Sequence, residues 1–240
     1  MSQASGADRS QGGRRPLLIG GITPFSTVDW PGKLVCVAFL AGCPWRCPYC
    51  QNHELQSFSS ATATDEDLFS FLETRRGLLD GVVLSGGEPL AQAATIEAAQ
   101  RIHEMGFAVG LHTCGGYPER LRQIMPFVDW VGIDIKAPWD AYERITGVSG
   151  TGELVRESLE IILASGVPME ARTTWHPALL SPEDIATIAH DLAGRGVPFW
   201  AVQAYRSIGT TGELPDETVY PFDVPEGLPE LFETYEFRRA

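Results

Sequence analysis

Two patterns of apolar and polar positions recur along this chain. Residues 34–40, 81–84, 107–111, 128–135, 169–174 and 199–204 are apolar at nearly every position. Such runs predict strands covered on both faces, as in a parallel sheet. Between them the period lengthens to that of a helix. Thr64, followed by Asp65, Glu66 and Asp67, marks a helix start, with Leu68, Phe71 and Leu72 as its apolar stripe. Val155, Leu159 and Ile162 share one face of a second helix, which Ser165-Gly166 ends. Ser181-Pro182-Glu183-Asp184 opens a third with a cap, a proline in the first turn and two acids. Its buried face is Ile185, Ile188, Ala189 and Leu192.

Strand–helix alternation with short connections implies right-handed crossovers and a parallel sheet. Six repeats fall short of the eight of a full barrel, so the α/β fold is an open or partial barrel or a doubly wound sheet. Residues 1–16 are polar and Gly/Ser/Arg-rich and read as a flexible tail without the apolar core of an export signal. Residues 17–240 read as one domain. Its last part, 208–240, is a loop-rich extension holding Pro215, Pro221, Pro225 and Pro229, packed on the body by Leu231, Phe232, Tyr235 and Phe237.

The charge balance narrows the function. Eighteen basic side chains face 31 acidic ones, a net charge of −13, which argues against a protein that grips nucleic acid through a basic field. No apolar run reaches the roughly 18–20 residues of a membrane span. Five cysteines form no disulfide framework, and their odd number points to a reducing cytoplasm.

Polar residues gather just after each apolar run. They are Cys43, Cys47 and Cys50; Ser85 to Glu88; His112 to Gly115; Asp134 with Lys136; Arg172 to His176; and Gln203 with Arg206. In a parallel barrel these strand ends share one face, where active sites lie. The C-x3-C-x2-C spacing of Cys43, Cys47 and Cys50 puts three thiolates on one compact loop. Structural zinc takes four closed ligands, which His53 could complete as Cys3His. A 4Fe–4S cubane held by three cysteines keeps one iron open for a ligand.

The cysteine loop, together with the later Ser85-Gly86-Gly87-Glu88-Pro89-Leu90, resembles the radical S-adenosylmethionine (SAM) superfamily. Val28-Asp29-Trp30-Pro31-Gly32-Lys33, the 39–43 approach, Cys50-Gln51-Asn52-His53-Glu54-Leu55, Asp134-Ile135-Lys136-Ala137-Pro138 and Arg172-Thr173-Thr174 are similar to the glycyl-radical-enzyme activases. The subset that activates anaerobic ribonucleoside-triphosphate reductase is the nearest in motif order. The resemblance covers roughly residues 18 to 206 and implies a partial (βα)6 TIM-like barrel of the radical SAM type. It implies that Cys43, Cys47 and Cys50 ligate a 4Fe–4S cluster whose fourth iron binds SAM. It also implies reductive cleavage of SAM to a 5′-deoxyadenosyl radical, which takes hydrogen from a glycine of the partner enzyme. A flavodoxin or ferredoxin-type donor would supply the electron. No extra cysteines indicate a second cluster domain. Alternative activities are activation of a pyruvate formate-lyase type enzyme, a 7-carboxy-7-deazaguanine synthase-like reaction, or a non-catalytic zinc adaptor.

The resemblance further implies that Gly86, Gly87 and Glu88 hold the SAM amino group. Glu88 also reads as a helix-start acid before Pro89. Tyr49 borders the adenine or simply packs. Asp134 and Lys136, two apart on a strand, face the same side and border the SAM carboxylate. Some activases bind a monovalent cation there through an aspartate of the preceding strand end; here that position is His112, within His112-Thr113-Cys114-Gly115, where relatives often read Asp-Thr-Asn-Gly. Arg172 suits the SAM carboxylate by bidentate pairing, or pairs with Glu170 or Asp134. Thr113 and Thr174 donate to the ligand or close turns. Cys36 reads as a core residue and Cys114 as a rim thiol. His176 lines the site or packs. Arg46, Lys136, Arg172 and Arg206 suggest a basic rim on an acidic body.

Overall fold

A computed structural model describes residues 16–211, 214 and 224–239. The tail 1–15 and part of the 208–240 extension lie outside the described residues. The six expected strands form as β2 (Val35–Leu40), β4 (Gly81–Gly86), β5 (Ala108–Thr113), β6 (Trp130–Asp134), β7 (Met169–Trp175) and β8 (Phe199–Ala204). All are parallel, each beside the next, in one sheet. Three further strands extend it: β1 (Leu18–Ser26), β3 (Ala63–Thr64) and β9 (Thr234–Arg238). The order is β3-β1-β2-β4-β5-β6-β7-β8-β9. β1 runs antiparallel to β2 and β3, and β9 is parallel to β8. The sheet is a partial barrel whose two edges do not pair, so the expected architecture holds with added strands on both sides. The stretch expected to pack on the body contains β9; Phe232, Tyr235 and Phe237 pack on the core as expected, whereas Leu231 is an exposed apolar side chain.

Helices α1 (Asp65–Glu73), α2 (Ala94–Glu104), α3 (Pro118–Ile124), α4 (Tyr142–Thr146), α5 (Thr151–Ser165) and α6 (Pro182–Gly194) join the parallel strands. The caps read from the sequence are in place. The Asp67 carboxylate accepts from the Thr64 N–H at 2.8 Å, and Ser181 and Asp184 close a reciprocal box at 2.9 and 3.2 Å. α6 buries the expected Ile185, Ile188, Ala189 and Leu192, and α5 buries Val155, Leu159 and Ile162. On α1 the buried aromatic is Phe69 and not Phe71, which stays half-exposed against the Arg75 guanidinium. Among the described residues no helix is long and apolar enough to cross a membrane.

Strand alternation divides the sheet into two faces. Cys36, Ala38, Leu40, Val82, Leu84, Val109, Leu111, Val131 and Ile133 face the helices in the main core. Cys36 is fully buried there, the core residue it was expected to be. The opposite face is layered along the strands. Val35, Val37, Val83 and Trp130 form an apolar layer, closed by Trp30 stacked on Trp130 at 5.7 Å. Toward the C-terminal ends of β4 to β8 the side chains on this face turn polar: Ser85, His112, Asp134, Arg172, Thr174 and Gln203.

Candidate active site

That polar layer lines a cavity of about 400 Å³ at the C-terminal ends of the parallel strands. Cys43, Cys47 and Cys50 all line it, together with residues at or just past the C-terminal end of each of the other five expected strands. The cysteine loop is braced from outside. Gly42 N–H donates to Leu55 O at 2.7 Å, Cys43 N–H to Gln56 O at 3.1 Å and Arg46 N–H to Thr146 O at 3.0 Å. The Arg46 guanidinium donates to Cys43 O and Trp45 O at 2.9 and 2.8 Å. Arg46 therefore folds the loop and does not line the cavity; the basic side chains there are Lys136, Arg172 and Arg206. Burial pushes the Cys43 thiol up to about 12, partly offset by the Trp45 backbone.

The donor set fits an iron–sulfur cubane better than a lone ion. A tetrahedral zinc needs sulfurs about 3.8 Å apart around one centre, whereas a cubane spreads its cysteines over separate irons. Among the described residues no three His, Cys, Asp or Glu side chains are gathered as a single-ion site. His53 turns away from the thiols, its Nδ1 3.1 Å from Gly209 O, so the Cys3His set is not assembled. Two buried polar atoms of the cavity residues, Tyr49 Oη and Arg172 Nε, have no hydrogen-bond partner. Each leaves an N–H or O–H at the cavity wall that a bound polar group could take up.

Gly86 and Gly87 join β4 to this loop through close backbone contact. Gly87 N–H donates to Leu40 O and Glu88 N–H to Gly42 O, both at 2.8 Å. A Cβ on Gly86, whose φ is +113°, would lie 2.3 Å from Leu40 N, and one on Gly87 would lie 2.5 Å from Gly42 O. Both glycines line the cavity; Glu88 does not. The Glu88 carboxylate is fully buried and accepts from Leu90 N–H at 2.9 Å, Thr113 Oγ1 at 2.8 Å and Cys114 N–H at 2.7 Å. Burial raises its pKa despite these bonds. Glu88 thus fastens the rim of β4 to that of β5, and its helix-start reading survives in the bond to Leu90. Thr113 lines the cavity while its hydroxyl serves Glu88; Cys114 is a buried thiol on the same wall.

On the facing wall Asp134 lies between two cations, with Lys136 Nζ at 3.1 Å and Arg172 Nε at 3.4 Å. Burial pushes the Asp134 carboxyl up, but Lys136 and Arg172 outweigh it and hold it below the usual range. Lys136 Nζ also sits 5.6 Å from the Tyr49 ring centre. Gly132 leaves room for the Arg172 guanidinium, since a Cβ there would come within 2.8 Å of Nη2. Thr174 lines the cavity, but His176 does not: it is fully buried, edge-on to Tyr205 at 4.9 Å, and accepts from Ala178 N–H at 3.0 Å.

His112 stands where an aspartate would serve a cation. Its Nε2 lies 2.8 Å from Asp29 O and its Nδ1 3.2 Å from Ser85 Oγ. The Asp29 carbonyl requires the proton on Nε2, and the Ser85 hydroxyl donates to Nδ1. Burial and the Arg172 charge push its pKa down to about 3, so the ring is neutral. The unfolded chain therefore takes up this proton first as the pH falls. Stability from this group is complete above the ordinary value near 6.5 and falls by about 1.4 kcal/mol per pH unit down to about 3. Urea unfolding at pH 7 and pH 5 is expected to show His112→Gln losing about 2 kcal/mol less than the parent. Equal losses in the two proteins would show a freely titrating ring.

Asp29, Asn52 and Gln51 also line the cavity. Sequence reading met all three inside motifs and gave them no role. The lone acid between Val28 and Trp30, ahead of a Pro-Gly turn, was the available signal for Asp29.

Residues 37–192 match the family model of the radical SAM superfamily. Over 195 residues the chain is 32% identical to a Methanocaldococcus jannaschii protein named for glycyl-radical enzyme activation, covering 78% of this chain and 80% of that one. It is 30% identical over 131 residues to the pyruvate formate-lyase-activating enzyme of Listeria monocytogenes, covering 48% of this chain and about half, 51%, of that relative. The SAM-bound crystal structure of Streptococcus suis SuiB superposes with a TM-score of 0.62 at 14% identity, covering 83% of this chain and 48% of that one, which shows a shared fold. Matching that family model over residues 37–192, with three cysteines on a braced loop and a glycine turn against it, the chain belongs to the radical SAM superfamily, enzymes that use a 4Fe–4S cluster and SAM.

Proposed function

We propose that this enzyme is a glycyl-radical-enzyme activase whose partner is anaerobic ribonucleoside-triphosphate reductase. The observation that carries the activase reading is the likeness to the M. jannaschii protein across about four-fifths of both chains. Support for the reductase as partner is the order of the motifs from Val28 to Thr174. When bound, the cluster and SAM supply reductive cleavage of the S–C5′ bond and a carbon radical able to take hydrogen from glycine.

The chain's own residues supply position and exclusion of water. In this reading Cys43, Cys47 and Cys50 hold the cluster. Gly86 and Gly87 bring backbone groups to the amino end of SAM, and Arg172 and Lys136 receive its carboxylate, with Asp134 holding both cations in place. Tyr49 borders the adenine, Thr113 sets the wall beside it, and Glu88 acts from behind by fixing that wall. The electron comes from a flavodoxin or ferredoxin-type donor in the cytoplasm.

Anaerobic incubation of the cluster-loaded enzyme with the reductase, SAM and a reductant is expected to give a glycyl-radical doublet in the EPR spectrum. A pyruvate formate-lyase in place of the reductase tests the other partner. Cleavage of SAM without a doublet on the reductase would overturn the reductase as partner, and a doublet on the lyase alone would assign the lyase in its place.

A further inference from the structure

Charged side chains on the inner face of the sheet continue beyond the cavity, toward the last strand. Glu170 and Arg172 lie two apart on β7, so both point to the inner face. Glu170 is almost completely buried, with 1% of its surface exposed. Its two carboxylate oxygens are held in a fork by Arg238 of β9, each at 2.8 Å from a guanidinium nitrogen. Arg238 reaches this carboxylate across β8, passing the Phe199 ring at 5.8 Å, and Glu236 steadies it from its own strand through Nε at 2.8 Å. The charges thus alternate in space: Arg238, Glu170, Arg172, Asp134, Lys136.

Arg172 is the member of this series with the weakest hold. Its Nε lies 3.4 Å from Asp134 and 4.0 Å from Glu170, and makes no hydrogen bond to either. Its Nη atoms have only long contacts, 3.3 Å to Gly132 O and 3.3 Å to His112 Nε2. The second of these is no hydrogen bond if Nε2 carries the proton that Asp29 O requires. Arg172 therefore lies between two carboxylates and is bound firmly by neither.

We propose that Arg238 and Glu170 are positioning residues for Arg172, and that the fork from β9 is what leaves the Arg172 guanidinium free to face an anionic ligand group in the cavity. The physical reason is competition for one cation. A buried carboxylate without a partner is strongly unfavourable and takes the nearest available charge. While Arg238 occupies both oxygens, Glu170 has little left for Arg172. Without Arg238, the nearest cation on its own strand is Arg172, whose unbonded Nε is already 4.0 Å away. The guanidinium then turns from the cavity toward Glu170 and takes its charge with it. Neither Arg238 nor Glu170 lines the cavity, so both act only through Arg172.

This inference rests on the reading that Arg172 meets the SAM carboxylate, and the experiment separates the two. SAM affinity is measured by anaerobic equilibrium dialysis on the cluster-loaded protein, with a thermal melt of each variant beside it. Arg172→Gln is expected to weaken SAM binding about tenfold, the size of a lost charge-assisted contact. Arg238→Gln is expected to weaken it by a similar factor. In the double variant Glu170→Gln, Arg238→Gln, the neutral amide no longer competes for Arg172, and affinity is expected to return to within about threefold of the parent. A merely structural loss would grow in the double variant. Unchanged affinity in Arg172→Gln would overturn the carboxylate reading. Full loss in Arg172→Gln with unchanged affinity in Arg238→Gln would overturn the positioning role alone. If Arg238→Gln does not fold, the double variant decides by itself: SAM binding near the parent value supports the proposal, and a folded double variant that does not bind SAM refutes it.

Discussion

Cys47→Ala, purified without oxygen, is expected to carry iron and sulfide at background levels and to cleave no SAM. Among the described residues four cysteines line the cavity, the three of the loop and Cys114. Cys114 stands apart from the cysteine loop, on the β5 side, where its backbone N–H is bonded to Glu88 at 2.7 Å. Two thiolates hold a cubane too weakly to keep it. Cys36→Ala is the matched control. Cys36 lies on the helix-facing side of β2, so its loss is expected to cost about 1 kcal/mol of stability with full iron content. Iron and sulfide analysis of the two proteins checks the assignment; a cluster retained in Cys47→Ala would remove that thiol from the ligand set.

Gly86→Ala is expected to destabilise the protein by about 3 kcal/mol or more and to lose most of its cluster. The atoms a new Cβ would strike, Leu40 N at 2.3 Å, Leu40 O at 2.5 Å and Phe39 C at 2.7 Å, all belong to the β2 backbone. A side chain could swing aside, but a strand hydrogen-bonded on both edges cannot. The φ of +113° adds strain for any residue with a Cβ. Displacing Leu40 also displaces Cys43, three residues on. Gly77→Ala isolates the strain from the collision. Its φ is +73° with nothing within 4 Å of the new atom. It is expected to cost only about 1 kcal/mol and to keep its cluster. Denaturant unfolding with iron analysis compares the two, and similar losses in both would mean that the contact with β2 is not what requires a glycine.

What the sequence made legible was whatever is written locally. Each inner strand is a continuous apolar run, so its place in the chain could be read directly, and α6 carries its own cap and its own buried face. β1 escaped because Gly20, Gly21 and Pro24 interrupt its pattern, and β9 because five residues with two charges resemble a loop. The cavity was legible for a related reason: a parallel sheet brings every post-strand segment to one face, so listing those segments lists the walls. Pairings made only in space left no such trace. The Glu170–Arg238 fork joins residues 68 positions apart, and the hold of Glu88 on Thr113 and Cys114 joins residues 25 and 26 apart. Even Glu88, met inside a motif, could not be sorted into ligand or brace until its three donors were seen.

The stacked tryptophans beneath the cavity have an electrical consequence. Trp30 and Trp130, with Val35, Val37 and Val83, put a water-poor layer directly behind Asp134, Lys136 and Arg172. Salt shields charges by placing counterions around them, and here the ions can approach from the open side alone. The field that these three side chains set up at the mouth is therefore screened less by salt than that of a pair on the open surface.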